Sequence, residues 1–263
     1  MPSNSVTLSP FGQKLRHFRA RSGMSQLDLA AAAGTTTRHV SFLETGRSRP
    51  GQELVLRLAT ALDVPIRERN ALLCAAGLPP AYPDHQLSDQ AMRSINLVLD
   101  RALHVHEPYP AWVVGRGLTF LRSNRAAESL FPGLCSLSPE SIVDLWYGPG
   151  PFRDLVENWQ DVVFVGVAHL RREATHAADP QLLDLARRAE SHLKSIRPTD
   201  GRSAPDLPVV CPRLKIGGRT VRTVSAIMRF DTAIEVTASE LRVELMFPAD
   251  EESAAFFRSC ALS

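Results

Sequence analysis

From Ser25 to Arg47 the chain reads SQLDLAAAAGTTTRHVSFLETGR, a stretch that fits a short helix, a tight turn and a second short helix. Ser25 offers a hydroxyl to the unpaired N–H groups of a first turn. Asp28, three residues on, puts negative charge at the positive end of the helix dipole. Leu27, Leu29 and Ala30 through Ala33 are good helix formers. Gly34 suits a turn that needs positive φ, and Thr35 or Thr36 caps the second helix. In that helix Val40 and Leu43 fall at i, i+3 and face a partner helix. Thr37, Arg38, Ser41 and Phe42 then project to the other side. Gly46 ends the helix, with Arg47 and Arg49 just beyond it. A short helix with a polar outer face and two trailing arginines suits the major groove of DNA and its flanking phosphates. The plainer alternative is a helical hairpin with solvated arginines.

The segment resembles the lambda-repressor-like, XRE-type helix-turn-helix family. The resemblance rests on Gln26 near the start of the first motif helix, Ala33-Gly34 at the turn, and Leu43-Glu44-x-Gly46-Arg47 at the exit. It implies that Gln26 touches a phosphate and braces the recognition helix, and that Thr36, Thr37, Arg38 and Ser41 face DNA. Arg47 and Arg49 would contact the backbone, and Glu44 would be structural. Arg38 is the expected base reader, to guanine. Phe42 either meets a thymine methyl or packs against a neighbouring helix. Many members carry tandem aromatics in this helix and an arginine where this chain has Phe42, so the operator does not carry over.

The flanks extend this motif into a five-helix, all-α domain. Ser9-Pro10 is a helix start. Phe11, Leu15 and Phe18 form one apolar stripe, and Leu54, Leu58, Ala61 and Leu62 another. Pro65 opens a fifth helix ending near Ala76-Gly77, and Pro79-Pro80 prevents continuation. Residues 1–82 are therefore one domain, 83–90 a linker and 91–263 a second domain. Residues 1–82 hold 10 Lys+Arg against 5 Asp+Glu, while the remainder holds 20 against 23, so the basic excess sits with the motif.

At 263 residues the chain is long enough for a second core. MPSNSVTLSP lacks the apolar run of a signal peptide, and no uninterrupted apolar stretch approaches ~18 residues, so neither export nor a membrane span is expected. Four scattered cysteines (Cys74, Cys135, Cys211, Cys260) suit reduced thiols in a cytoplasm.

In the second domain Ala91 to His104 reads as an amphipathic helix with Ile95, Val98, Leu99 and Ala102 on one face. Ala111–Gly115 and Leu118–Arg122 are short strands around Gly115-Arg116-Gly117. Helices are expected over Asn124–Leu130, Pro139–Trp146, Phe152–Ala174 and Pro180–Ile196. Arg197 to Pro208 reads as a loop. Beyond it the period changes to alternation over Val209–Ile216, Arg219–Phe230 and Glu240–Phe247, with turns at Gly217-Gly218 and Asp231-Thr232, and a closing helix over Asp250–Ala261. Two early strands, a helical middle and three late antiparallel strands make an α+β, PAS-like domain with a roughly five-stranded sheet.

Within it, Glu107-Pro-Tyr109-Pro110-Ala111-Trp112, Ser123-Asn124-Arg125-Ala126-Ala127, Leu155-Val-Glu157-Asn158-Trp159 and Arg171-Arg172-Glu173 resemble the MmyB-like ligand-binding domain. That domain is PAS-like, follows an XRE helix-turn-helix in many bacterial regulators, and holds a fatty acid in one member. The resemblance implies a homodimeric transcription factor bound to a pseudo-palindromic operator, with a hydrophobic ligand and no other cofactor. Ligand occupancy would shift the spacing of the two DNA-binding domains through the segment Pro79–Asp89. Trp112, Phe120, Phe131, Trp146, Trp159, Phe164, Met228 and Phe230 are the expected cavity lining, or else core filler. Arg116, Arg122 or Arg229 would pair with a carboxylate head group, or else be solvated. Asn124 holds a turn or helix start. The late strands lack the His-Pro element common in that domain; Cys211-Pro212 and the Lys215-Ile-Gly-Gly218 turn stand in its place. The rival reading is a protein-interaction module with a closed core.

Other chemistries are set aside on the residues. His104-x-His106-Glu107 has no cysteine partner nearby, so no metal site is expected. Ala76-Gly77 lacks the downstream Ser-Lys dyad of a self-cleaving repressor. G-x-x-x-x-G-K-[ST], G-x-G-x-x-G and G-x-S-x-G are absent, and no catalytic residues are expected.

Overall fold

A computed structural model describes residues 9–177, 179–197, 210 and 212–260. The chain passes between two compact units at Asp84–His85, with residues 234–236 grouping with the first.

The first unit has five helices: α1 (Pro10–Arg21), α2 (Gln26–Ala32), α3 (Thr37–Glu44), α4 (Gln52–Ala61) and α5 (Ile66–Ala75). Ser9 caps α1 by accepting the Gly12 N–H at 3.1 Å. Ser25 and Asp28 form a reciprocal capping box on α2, at 3.1 and 2.9 Å, which lowers the Asp28 pKa through its bond with Ser25. Gly34 takes φ 62 and closes α2: its own N–H returns to Ala31 and that of Thr35 to Ala30, the two bonds of a Schellman ending. Phe11, Leu15 and Phe18 of α1 are buried, as are Leu29, Val40, Leu43, Val55 and Leu58 of the helices that follow. Beyond α5 the chain stays attached. Asn70 accepts the Ala81 and Tyr82 N–H groups and donates to the Tyr82 carbonyl, while Arg67 pairs with Asp84 at 2.7 Å.

The second unit is built on a five-stranded antiparallel sheet in the order β2-β1-β5-β4-β3. Its strands are β1 (Ala111–Gly115), β2 (Thr119–Ser123), β3 (Arg213–Ile216), β4 (Arg219–Arg229) and β5 (Arg242–Pro248). α6 (Arg93–Val105) covers one face through Leu99 and Leu103, against Ala111, Val113 and Val243. Val98, expected on the buried stripe, lies at its rim and is exposed, because the contact centres on the 95–99–103 ridge. The other face carries the main core, built with α7 (Arg125–Leu130), α8 (Pro139–Tyr147), α9 (Pro151–Leu155), α10 (Trp159–Ala177) and α11 (Pro180–Leu193). α12 (Val236–Glu240) is a short helix that the sequence pattern does not reveal, and α13 (Glu251–Cys260) closes the chain. Asp144 of α8 accepts from Nε and one Nη of Arg188 of α11, at 2.7 and 2.6 Å, and bonds His192 at 2.8 Å. Arg188 is the main reason the Asp144 carboxyl is pulled down to about 2.

The single helix expected over Phe152–Ala174 is divided. Between α9 and α10 the chain leaves the helix to meet the sheet edge. Val156 bridges Leu214, the Glu157 N–H donates to the Arg213 carbonyl at 2.8 Å, and Asn158 accepts the Arg213 N–H at 2.9 Å. The loop expected over Arg197–Pro208 lies almost wholly outside the described residues, as do Cys211 and the first residues of the strand expected from Val209.

Gly12 lets α1 lie directly on the end of α3. A Cβ there would overlap the Glu44 carbonyl oxygen and stand 2.8 Å from that of Leu43, both backbone atoms with no room to swing aside. Gly12→Ala should therefore cost the first unit about 1–3 kcal/mol, read as a lower urea midpoint, while Arg16→Ala on the exposed side of α1 should stay within about 0.5 kcal/mol. Equal midpoints for the two variants would show that α1 does not sit this close.

Candidate DNA interface and ligand cavity

The outer face of α3 is presented by an ion pair on its inner side. Glu44 is 3 % exposed. It accepts from Arg19 of α1 at two points, 2.6 and 3.1 Å, and from the Gln26 amide of α2 at 2.8 Å. Arg19 also donates to the Met24 carbonyl at 2.8 Å, and its bond to Glu44 raises its pKa. One carboxylate thus fixes three helices against one another. With α3 held this way, Thr36, Thr37 and Arg38 are exposed, and Ser41 and Phe42 are half-buried beside them. Thr36 also caps α3, accepting the His39 N–H at 3.2 Å. The Phe42 ring carries Arg38 and Arg47, their guanidinium carbons 5.2 and 5.9 Å from its centroid. It is a platform that holds two cations over one surface. Arg49 is exposed on the same loop as Arg47. His39, absent from the sequence-based set, lies between Thr35 at 3.1 Å and Ser48 at 3.5 Å, tying the turn to the loop after α3.

In the second unit a cavity of about 150 Å³ lies between the inner face of the sheet and the helices. Trp112, Phe120, Phe131 and Trp146 line it together, with Phe152, Val162 and Leu214, none of which sequence reasoning singles out. Phe120 packs edge-on to Trp146 at 5.5 Å. The other four aromatic or apolar candidates stand elsewhere. Trp159 is buried in the core and donates its indole N–H to the Trp146 carbonyl at 2.9 Å, so it fixes the wall from behind. Phe164 packs on the core away from the cavity. Met228 and Phe230 are corrected by register. Met228 pairs with Val243, whose side chain faces α6, and Phe230 follows at the next even position, so both lie across the sheet. The arginines proposed for a carboxylate are also placed elsewhere. Arg116 bonds Asp179, Arg122 bonds Asp100 and Asn96, and Arg229 pairs with Glu173.

Two family models match the chain: a helix-turn-helix domain over residues 10–72 and the MmyB-like transcription regulator ligand binding domain over residues 96–259. The chain belongs to the MmyB-like family. It also resembles the uncharacterized HTH-type transcriptional regulator RghRB of Bacillus subtilis (strain 168), 35 % identical over 78 residues, which are 29 % of this chain and 54 % of the relative. The chain spans about half the length of that relative. It thus joins a helix-turn-helix domain to a transcription-regulator ligand-binding domain, the make-up of a helix-turn-helix transcriptional regulator.

The motifs of the MmyB-like domain prove to be largely fasteners of its fold. Glu107 accepts the Arg125 N–H at the start of α7 at 2.8 Å. Asn124 caps α7 at Ala127, accepts the Ala111 N–H at 3.0 Å and donates to the Tyr109 carbonyl at 2.7 Å, pinning the start of β1 to the helix beside it. Trp112 is the motif residue that reaches the cavity. Among the described residues no group of His, Cys, Asp or Glu is arranged to hold a metal, and no helix is long and apolar enough to cross a membrane.

Glu44→Ala strands the Arg19 guanidinium, 16 % exposed, without its carboxylate, and should cost about 3–5 kcal/mol in the first unit. The double replacement Arg19→Met, Glu44→Leu removes both charges and should recover most of that loss in the same urea titration. A single variant as stable as the parent would show that the pair does not hold α3.

Proposed function

We propose that the protein is a dimeric, sequence-specific regulator of transcription that binds double-stranded DNA through α3 and responds to a hydrophobic small molecule held in the MmyB-like domain. It would act in the cytoplasm as a binding protein, with no catalytic step of its own. The observation that carries the DNA half is the exposed Thr36-Thr37-Arg38 edge of α3, with the Phe42-mounted Arg38 and Arg47 beside it. Arg38 would read a guanine edge, and Arg47 and Arg49 would lie along phosphates. Gln26, already committed to Glu44 through its amide nitrogen, would approach a phosphate beside the recognition helix. One such unit makes few phosphate contacts. Two units on half-sites about 34 Å apart would double them and read a pseudo-palindrome. Leu97, Val98 and Val105 leave apolar side chains exposed on α6, a surface that a second copy would cover.

The aromatic cavity supports the ligand half. Its volume of about 150 Å³ matches an interior void that takes a benzene-sized molecule. A short or compact apolar ligand fits this conformation. Ligand binding would change DNA affinity by its difference in affinity for two states of the dimer.

The DNA half is tested on duplexes enriched from a random library by fluorescence anisotropy. Arg38→Ala should cost about 1–3 kcal/mol and relax preference at one base pair, whereas Arg47→Ala should weaken every duplex alike. Affinity should fall steeply between about 50 and 200 mM salt. An Arg47→Ala variant with altered preference at one base, or an affinity indifferent to salt, would contradict these assignments. The ligand half is tested by mass spectrometry of organic extract from the purified chain. A compound of one defined mass at near-equimolar yield is expected; an empty, fully stable domain favours a protein-interaction module.

A further inference from the structure

His39 ties together the two loops that flank α3. Its Nδ1 stands 3.1 Å from the Thr35 hydroxyl, in the turn before the helix, and its Nε2 3.5 Å from the Ser48 hydroxyl, in the loop after it. All three residues are half-buried, so they keep a path to solvent. The backbone under both hydroxyls is fixed. The Thr35 N–H donates to the Ala30 carbonyl at 2.9 Å, and the Ser48 N–H to the Phe42 carbonyl at 3.2 Å. What remains free to change is the direction in which each hydroxyl proton points.

That direction depends on the charge of the ring. A neutral imidazole has one N–H and one bare nitrogen, whereas the protonated ring has two N–H groups. A hydroxyl gives one proton and can also accept. With His39 neutral, one of the two hydroxyls turns its proton onto the bare nitrogen. With His39 protonated, both hydroxyls accept from the ring, and both of their protons are free to point outward. Thr35 adjoins Thr36 and Thr37, and Ser48 lies between Arg47 and Arg49, all exposed residues of the proposed DNA face. Hydroxyl groups on such a face donate to phosphate oxygens. A phosphate therefore favours the protonated ring in two ways, through its charge and through the released donor.

The fixed charges around His39 leave room for that anion. The loop after α3 carries Arg47 and Arg49, and the turn before it carries no charge. On α3 itself stand Arg38 and Glu44, and Glu44 is buried and held by Arg19 and Gln26. Of the helices packed on α3, α1 brings the cations Lys14, Arg16, Arg19 and Arg21, with His17. α2 brings Asp28, which is bound to Ser25 at the end of that helix away from Thr35.

We infer that DNA binding is coupled to protonation of His39: the ring takes up a proton as phosphates arrive, and Thr35 and Ser48 turn their hydroxyl protons toward them. His39 is then a positioning residue that acts through two hydroxyls. This rests on the DNA-binding reading of α3 and adds a proton to it. Because the complex holds the extra proton, affinity rises as pH falls.

The test titrates the full chain with a duplex enriched from the random library, by fluorescence anisotropy at fixed salt. Parent affinity should rise about three- to tenfold on going from about pH 8 to about pH 6. His39→Gln, which keeps a donor and an acceptor but cannot be charged, should lose most of this rise while keeping the parent urea midpoint. Ser48→Ala should rise less than the parent, and His17→Gln, on the exposed side of α1, should rise as the parent does. A flat parent profile, or a His39→Gln variant that rises like the parent, overturns the coupling while leaving DNA binding standing. Ser48→Ala with the full parent rise overturns the role of the hydroxyls, even where His39→Gln does not fold. Absence of binding to every duplex at both pH values overturns the DNA-binding reading itself, and the coupling with it.

Discussion

The Glu44 carboxylate is the fixed point of the DNA-binding unit. It sits at the last turn of α3, almost out of water, and accepts from Arg19 of α1 and Gln26 of α2. A buried charge of this kind is tolerated only when its partners are in place. The three helices therefore cannot drift apart without stranding it. Gly12 completes the arrangement by letting α1 touch the α3 backbone. This packing selects the residues that reach solvent. With Val40, Leu43 and Glu44 facing inward, the residues left outside are Thr37, Arg38, Ser41 and Phe42. Phe42 then gathers Arg38 and Arg47 onto one surface, so two side chains nine residues apart in sequence act at one place.

The MmyB-like domain divides its work between the two faces of the sheet. The face toward α6 is plain packing, with Val113, Val243 and Met228. The face toward the helices holds Trp112, Phe120 and Met246, and the cavity forms where these meet Phe131 and Trp146. Strand alternation alone makes the separation, since neighbouring residues cannot serve the same face. The family motifs sit mostly at the corners. Glu107, Asn124 and Asn158 satisfy backbone groups that the turns leave open, and by doing so they set the distance between sheet and helices. The Ala111 N–H held by Asn124 is buried, and a buried backbone group must be paired somewhere.

Much of this was legible in the chain. The cap residues Ser25 and Thr36, the stop at Gly46, β1 at Ala111–Gly115 and the start of α7 at Asn124 stand where local chemistry places them, because caps, turns and strand alternation act over a few residues. The errors have a common cause. The run from Phe152 to Ala174 is helical by composition, yet it breaks at Val156-Glu157-Asn158 because these residues find partners on β3, more than fifty positions away. Met228 and Phe230 are as apolar as Trp112, and only the pairing of β4 with β5 shows that they face α6. The Arg19–Glu44 pair left no trace in local spacing, although the family resemblance gave Glu44 a structural role.

By itself the sequence determined the order of domains, the periodicity of their elements and the polar outer edge of α3, since each follows from short-range geometry and the burial of apolar stripes. The tertiary structure decided which cations share the Phe42 ring, which aromatics line a common space, and which of the apolar candidates face away from it. Those are relations between residues brought together by packing. They exist only once the strands have chosen their register and the buried charges have found their partners.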